Sequence, residues 1–256
     1  MPAWNGDYRF LIRNLVAKDF KIRYRNMSLG VFWSLLNPLV MLAVYLFVFT
    51  KLFKVNATPH FGLYILTGII VFNFFSLAWA AGTSSLTDNA GLIKRLPVPR
   101  EIVPIASVLS NTLHVGIQLG LLLLAAVVSG LGVNIYWFWL PIIWALGIIF
   151  TFGLALITSG LNVYLRDTRY IVESVCLIAF WFTPIFYLLS FVPERYRDIY
   201  LSNPVTAAIV AMRNVILEGQ APAASLLLKL MLGAIGSLVI GMAVFQKMKP
   251  GFYDHL

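Results

Sequence analysis

Long apolar stretches separated by short charged segments dominate the pattern along this chain. A helix needs about 20 mostly apolar residues to cross the hydrocarbon core of a bilayer, since each residue rises about 1.5 Å. Windows without charge run from Asn26 to Thr50 and from Phe61 to Thr87. A third window, Ile102 to Leu165, is too long for one helix, and its glycine-containing segment 129–137 divides it in two.

These windows and two further apolar runs predict an all-α, polytopic integral membrane protein with six transmembrane helices in a single domain, residues 1–256. The predicted spans are about 31–53, 62–86, 104–128, 138–161, 170–189 and 225–246. A composition of 60% hydrophobic and 11% charged residues excludes an ordinary soluble globular protein. The first apolar segment lacks a small-residue cleavage site, which indicates a retained helix rather than a signal peptide.

Basic residues lie mostly on one side of the predicted spans. The N-terminal segment, the loops after spans two and four, and the C-terminal tail are predicted to share one side of the membrane. Together they carry thirteen Lys and Arg residues, whereas the opposite side carries five. Because basic loops stay cytoplasmic, both termini are predicted to be cytoplasmic. The same bias accounts for the net charge of +9 without a soluble basic domain, so no nucleic-acid partner is expected.

An N-terminal amphipathic helix is predicted at residues 4–26. Its basic side consists of Arg9, Arg13, Lys18, Lys21 and Arg25, and its apolar side of Tyr8, Leu11, Ile12, Leu15, Val16 and Ile22. Such a helix lies in the membrane interface and directs its cations toward lipid phosphates. Asp19 and Arg23 interrupt the apolar side, which leaves open the alternative of a helix docked on protein.

The loop between spans five and six is too long and too apolar for a plain linker. Asn203 followed by Pro204 predicts a helix start, and Gly219 predicts its end. The run between them contains Arg213 and is too short to span a bilayer. Pro193 to Gly219 is therefore predicted to form a helical hairpin, either re-entrant beside a cavity or lying on the membrane surface.

Aromatic residues recur at helical spacing in spans one, two and five. They are Tyr45, Phe49, Phe72, Phe75, Trp79, Trp181, Phe182, Phe186 and Tyr187. Rings of this kind can stack on the apolar faces of sugars without holding them tightly, so the set is a candidate channel lining. Ordinary packing against lipid or other helices is the alternative for each of these residues.

One face of span three carries a polar stripe. It consists of Ser107, Asn111, His114 and Gln118, and hydrogen bonds across helices are its expected role, with a ligand or proton-relay site as the alternative. Ser110 and His114 lie one turn apart, so they are a candidate Ser-His pair for an intramembrane hydrolase, the alternative from another functional class. No G-x-S-x-G or H-E-x-x-H motif supports that enzyme.

The remaining polar residues predict structure rather than chemistry. Arg166, Asp167, Arg169 and Glu173 after span four form a charged cluster, which predicts a salt-bridged turn, with contact to an ATPase or a pyrophosphate as the alternative. The single cysteine, Cys176, is expected to fill the core. No metal site is predicted.

Four segments of this chain, in the expected order, resemble the membrane subunit of type 2 ABC exporters, and most closely the polysaccharide-export (Wzm-type) permeases. The segments are KDFKIRYRNMSLGVFWSLLNPLVMLAVYLFVF, NAGLIKRLPVPREIVP, LRDTRY and FTPIFYLLSFVPERYRDIYLSNPVTAAIVAMRNVILEG. The resemblance covers essentially the whole chain.

The resemblance implies a homodimer in the bacterial inner membrane that docks two copies of a separate ABC ATPase subunit. Loop 89–99 would be a coupling element with the contact face Leu92, Ile93, Lys94 and Arg95. The outer gate would consist of Pro193, Asn203, Pro204, Arg213 and Gly219. ATP binding by the partner is then expected to push the coupling loop and the interface helix, which would separate or tilt spans one and five.

The resemblance also implies a substrate, an undecaprenyl-pyrophosphate-linked polysaccharide such as an O antigen or related glycan. The chain has no G-x-x-x-x-G-K-[ST] phosphate loop. It is therefore expected to be no enzyme and to bind no cofactor, while the partner subunit uses ATP and Mg²⁺. An ABC drug or lipid exporter and a passive channel are the alternatives within transport.

Overall fold

The computed structural model describes residues 6–25, 27–52, 59–95 and 98–255, except for the side chain of residue 254. Parts of three predicted segments lie outside the described residues: both ends of the interface helix (4–5 and 26), the end of the first span (53), and residues 96–97 within the coupling loop. The α-helices are α1 Tyr8–Tyr24, α2 Trp33–Leu46, α3 Phe61–Asp88, α4 Ala90–Arg95, α5 Ile102–Val128, α6 Trp139–Tyr164, α7 Thr168–Phe182, α8 Glu194–Ser202, α9 Pro204–Ile216, α10 Ala224–Met248 and α11 Phe252–His255. The predicted all-α fold class is confirmed.

Within the described residues, five helical stretches are long and apolar enough to cross a membrane. They are Gly30–Leu52, Phe61–Asp88, Ile102–Val128, Ile135–Tyr164 and Ala224–Gly251, and they match five of the predicted spans to within a few residues.

The predicted fifth span differs from the helix that the structure contains. α7 has 15 residues and ends at Phe182, which gives it a length of about 22 Å, short of the roughly 30 Å hydrocarbon core. Thr183 precedes Pro184, and a residue before proline disfavours the α conformation. Residues 170–189 are therefore not one continuous helix, and the count of six spans stays a prediction.

α3 lies at the centre of the bundle and packs against α2, α5, α6, α7 and α9. In its most apolar window 72% of the residues are buried, compared with 11% in the first span, Gly30–Leu52. A helix that is apolar on all sides is stable where other helices surround it, so the position of α3 follows from its composition.

The fourth and last spans, α6 and α10, approach closely at glycines. A Cβ atom on Gly153 would lie 2.2 Å from the carbonyl carbon of Ser237, and one on Gly241 would lie 2.4 Å from the Gly153 oxygen. Small residues allow membrane helices to bring their backbones together in this way. Ser237 Oγ also donates to the Phe150 carbonyl at 3.1 Å, which ties α10 to α6.

Candidate functional site

The N-terminal helix α1 is docked on α5. Asp7 caps its start by accepting from the backbone N–H groups of Arg9 at 2.8 Å and Phe10 at 3.3 Å. Leu15 is buried against Ile102 and Ala106 of α5, with Leu11, Ile12, Val16 and Leu92 packed around them. Part of the predicted apolar side therefore contacts protein, as in the docked alternative, whereas Tyr8 and Ile22 remain exposed.

The last turn of α1 reaches the polar stripe of α5. Arg23 Nη2 donates to Asn111 Oδ1 at 2.6 Å, and the Tyr24 hydroxyl is hydrogen-bonded to His114 Nδ1. We call these four residues the inner latch. Arg23 interrupts the apolar side of the sequence pattern because that side meets a polar patch on α5. The polar stripe of span three predicted hydrogen bonds across helices, and the interruption at Arg23 was the sequence signal on α1, whereas Tyr24 gave none.

The rest of the stripe also makes structural hydrogen bonds. Asn111 Nδ2 donates to the Ser107 carbonyl at 2.9 Å, and Gln118 Nε2 donates to the Ser34 carbonyl at the start of α2, also at 2.9 Å. Ser110 Oγ is buried without a hydrogen-bond partner among the described residues, and His114 Nδ1 bonds Tyr24 instead. The Ser-His pairing that a hydrolase needs is not formed.

A polar cleft of about 400 Å³ opens between α1, α3 and α5. Charged and polar side chains line it, including Lys18, Asp19, Arg23, Ser84, Asp88, Asn89, Ser107, Ser110 and Asn111. Lys18 Nζ lies 3.4 Å from Asp19 Oδ1 and also donates to Asn89 Oδ1. Lys18 therefore connects α1 to the residue that precedes α4.

The predicted coupling residues lie on the short helix α4. Ile93 is buried against Leu86, Val103 and other residues of the bundle, and Leu92 packs against the Leu15 cluster. Lys94 and Arg95 are exposed. Of the four predicted contact residues, Ile93 thus anchors α4 to its own subunit, and the two cations face outward.

The predicted outer hairpin consists of α8 and α9. Asn203 Oδ1 accepts from the Val205 N–H at 3.0 Å and Pro204 is the first residue of α9, as predicted. Gly219 lies just beyond the end of α9 with φ +61°, the left-handed conformation that glycine favours. Pro193 directly precedes α8.

The two helices of the hairpin are buried to different degrees. α9 packs against α3, α6 and α10, and most of its residues are buried, whereas none of α8 is. Burial in protein is the condition for a helix too short to span at membrane depth. The structure thus favours the re-entrant over the surface-lying interpretation for α9.

Arg213 of α9 is buried, with 4% of its surface exposed. Its Nε and Nη2 atoms donate to the Tyr64 carbonyl at 3.2 and 2.9 Å. Nη1 donates to the Pro184 carbonyl at 2.7 Å, and Nη2 also donates to the Ile185 carbonyl at 2.8 Å. The guanidinium carbon lies 3.4 Å from the centre of the Tyr64 ring.

We call Arg213, Tyr64, Pro184 and Ile185 the outer clamp. Arg213 bonds backbone carbonyls, and no carboxylate forms an ion pair with it in the described part of the chain. Tyr64 adds a bond from its hydroxyl to the Tyr187 carbonyl at 3.0 Å. The clamp therefore joins α3, α9 and the segment that follows α7. Of its four members, Arg213 is among the predicted gate residues.

Most of the predicted channel aromatics pack together. Phe186 stacks on Tyr45 and Phe49 with ring centres 5.6 and 5.3 Å apart, and meets Trp181 at 5.5 Å and Tyr187 at 5.4 Å. Phe180, which the predicted aromatic set does not include, joins this group to α3 through Phe72.

The α3 aromatics form the continuation of this cluster. Phe72 meets Phe180 with ring centres 5.3 Å apart and Phe75 at 6.0 Å, and Phe75 meets Trp79 at 5.3 Å. Phe72, Phe75, Trp79 and Phe186 are buried, whereas Trp181 and Phe182 are more than 60% exposed. Packing within the subunit, the alternative interpretation, accounts for the four buried rings.

A second cleft, of about 440 Å³, lies between α8 and the segment after α7. Its lining is mainly aromatic and consists of Phe182, Tyr187, Phe191, Val192, Pro193, Tyr196, Ile199 and Tyr200. Phe182 and Tyr187 of this lining belong to the predicted aromatic set and Pro193 to the predicted gate, but no sequence pattern places the three together.

The charged cluster after span four forms the predicted salt bridge in part. Arg169 Nε lies 3.0 Å from Glu173 Oε1, one turn further along α7, and both side chains are exposed. Arg166, Arg169 and Asn162 line a cleft of about 340 Å³ beside the C-terminal helix α11. Cys176 is buried in the core, as expected.

The helices, the inner latch and the outer clamp define a polytopic helical membrane protein with an N-terminal helix docked on the bundle and a short helix, α9, buried within it. The sequence pattern of the family described as ABC-2 type transporter matches residues 11–217. The chain therefore belongs to the ABC-2 type transporter family, and it is a multi-pass membrane protein that serves as a transport subunit.

Individual relatives match along nearly the whole length. An O-antigen export system permease protein RfbA from Klebsiella pneumoniae is 30% identical over 255 residues, 99% of this chain and 98% of the relative. A protein of the same name from Myxococcus xanthus is 27% identical over 97% of this chain and 96% of the relative. The polysialic acid transport protein KpsM of Escherichia coli is 21% identical over 92% of both chains.

Proposed function

We propose that this protein is the membrane subunit of an ATP-driven exporter that moves an undecaprenyl-pyrophosphate-linked polysaccharide, an O antigen or a related glycan, across the bacterial inner membrane. The full-length similarity to O-antigen export permeases carries the proposal. Similarity to a polysialic acid transport protein favours polysaccharides over drugs or small lipids.

The aromatic cleft beside the hairpin supports this substrate class. Its rings and tyrosine hydroxyls combine apolar stacking surfaces with hydrogen-bonding groups, which suits a sugar polymer. Because α9 is held by the outer clamp while α8 is exposed, α8 is the part of the proposed outer gate that can move most easily. Glycan leaving the conduit would meet Tyr196 and Tyr200.

The partner of this subunit would be an ABC ATPase that uses ATP and Mg²⁺, present in two copies on a homodimer of this chain with both termini cytoplasmic. The exposed cations Lys94 and Arg95 on α4 are its proposed contact points. Movement of α4 would pass to α1 through Lys18 and Asn89, and from α1 to α5 through the inner latch. Movement along this route reaches span three (α5) first, whereas the resemblance implies movement of spans one and five.

A combined genetic and biochemical experiment tests the function. Deletion of the gene should abolish the surface glycan, and expression of the wild-type chain should restore it. The purified chain should carry an ATPase subunit whose hydrolysis rate increases when lipid-linked glycan is added. Intact surface glycan in the deletion strain, accompanied by sensitivity to drugs, would instead favour a drug exporter.

The coupling route is tested separately with Lys18→Ala. The variant should still assemble with the ATPase and bind ATP, but surface glycan should fall several-fold because α4 no longer moves α1. Asn14→Ala, at an exposed position one turn earlier on α1, is the matched control and should export normally. Normal export by Lys18→Ala would contradict the route.

A further inference from the structure

An apolar groove of about 650 Å³ runs between α1 and α5, on the flank of α1 opposite the polar cleft. This volume is within the range of about 300–1,000 Å³ typical of sites that enclose small ligands. Its floor consists of Ile12, Val16, Ala17, Phe20, Leu109, Thr112 and Leu113. The Thr112 hydroxyl donates to the Val108 carbonyl at 3.1 Å, so its hydrogen-bond donor is satisfied without a polar ligand.

Three cations, Arg9, Arg13 and Lys21, line the same groove. All three are exposed, and among the described residues none forms an ion pair. Among the residues that the structure describes, no acidic side chain lines the groove. The groove is thus apolar inside and positively charged at its rim, a combination that complements a ligand with an apolar chain and an anionic head.

The position of the groove identifies the source of such a ligand. Leu109 and Leu113 belong to α5, one of the helices long and apolar enough to cross a membrane, and Leu113 is 54% exposed. One wall of the groove is a membrane-spanning helix, and the other is an amphipathic helix. A groove between two such helices lies where acyl chains meet headgroups. Anionic phospholipid in the bilayer can enter it laterally.

We propose that this groove is a binding site for an anionic phospholipid of the surrounding membrane. The phosphate interacts with Arg9 and Arg13, which lie one turn apart on α1, and Lys21, about 18 Å further along the helix than Arg9, adds positive charge at the other end of the groove. An acyl chain covers Ala17, Phe20 and the exposed side of α5. Bound lipid then fixes α1 against α5 beside the inner latch. The inference needs only the membrane position of α1 and does not depend on which substrate is exported.

Photolabelling of the full-length chain in nanodiscs tests the site. The probe is phosphatidylglycerol with a photoreactive group on its acyl chain, at a limiting amount in phosphatidylcholine. Labelled peptides should come from α1 around Phe20 and from α5 around Leu109 and Leu113. Unlabelled phosphatidylglycerol should suppress this labelling more strongly than extra phosphatidylcholine, a comparison that needs no variant and therefore does not depend on correct folding of one.

Variants add a matched comparison. Each Lys or Arg near an anionic lipid contributes about 1 kcal/mol, so Arg13→Gln should weaken phosphatidylglycerol competition about five-fold, and Arg9→Gln with Arg13→Gln further. Ala17→Phe should exclude the acyl chain without any change in charge. Lys247→Gln, an exposed cation at the end of α10 outside the groove, is the control and should label like wild type.

Three outcomes would overturn the assignment. The first is labelling distributed over the spans without enrichment at the groove. The second is equal suppression by phosphatidylcholine and phosphatidylglycerol, which indicates acyl-chain contact without recognition of the phosphate. The third is stronger suppression by a polyprenyl pyrophosphate than by phosphatidylglycerol, which would assign the groove to the lipid carrier of a substrate instead of the membrane's own phospholipid.

Discussion

The outer clamp and the inner latch both depend on an arginine, but they bind different kinds of acceptor. Arg213 donates four hydrogen bonds to backbone carbonyls, whose positions are set by the fold. Arg23 bonds one side-chain amide, that of Asn111, which can rotate away while every helix stays intact. The difference indicates that the end of α3 at the outer clamp is built to stay fixed, whereas the contact between α1 and α5 can be released.

The largest expected effect follows from breaking the clamp with Arg213→Lys. Lysine keeps the charge but not the planar fork, so buried carbonyls lose their donors, at about 1–3 kcal/mol each. The melting temperature of the purified protein should fall on the order of 10 °C. Arg195→Lys, on the exposed helix α8, is the control and should melt like wild type.

A second substitution, Gly68→Ala, crowds the clamp sterically but leaves Arg213 and its hydrogen-bond acceptors in place. A Cβ atom at position 68 would lie 2.9 Å from Arg213 Nη2 and 3.0 Å from the Ile185 Cα atom. Gly68→Ala should therefore cost about 1–3 kcal/mol through overpacking, seen as a lower melting temperature.

Gly62→Ala on the same helix provides the control for helix propensity. Its added methyl group would meet Leu46 Cδ1 at 3.7 Å, which is ordinary contact. If both alanine variants melted at the same temperature, the clamp would be shown to adjust freely, and the claim that it fixes this end of α3 would fail.

The two anchors also differ in how far the sequence could predict them. Apolar length predicted six spans, of which five match helices long enough to cross a membrane, and Asn203 with Pro204 predicted the start of α9, because both signals are local. Arg213 could be recognised as unusual, but its acceptors could not, since every residue supplies a backbone carbonyl. Arg23 and Asn111 are 88 positions apart, and no local pattern pairs them.

The aromatic residues show the same limit. Helical spacing predicts which rings share a face but not whether that face meets a conduit, lipid or another helix. Phe72, Phe75 and Trp79 have the spacing of a lining and are nevertheless buried, because α3 is surrounded by other helices. Their position depends on the packing of the whole bundle, which the spacing within one span does not encode.

A smaller effect on stability is expected when the latch is broken with Arg23→Gln. A partly exposed hydrogen bond to a charged group contributes about 1–2 kcal/mol, so the melting temperature should fall by roughly 2–6 °C. The loss of glycan export should be greater than the lower stability alone would cause, because α1 no longer transmits movement to α5. Asn14→Ala is again the control. A loss of stability as large as that of Arg213→Lys would contradict the distinction between the two anchors.

The smallest effect is expected next to the latch, at Ser110. Its hydroxyl is buried without a hydrogen-bond partner among the described residues, so Ser110→Ala removes an unsatisfied polar group and should leave stability unchanged or slightly higher. Melting temperature and surface glycan should both match wild type, because no step of the proposed transport uses this oxygen. Loss of function in a stable Ser110→Ala protein would require a chemical role for the hydroxyl. The cleft between α1, α3 and α5 would then be a candidate catalytic site rather than a contact that transmits movement between helices.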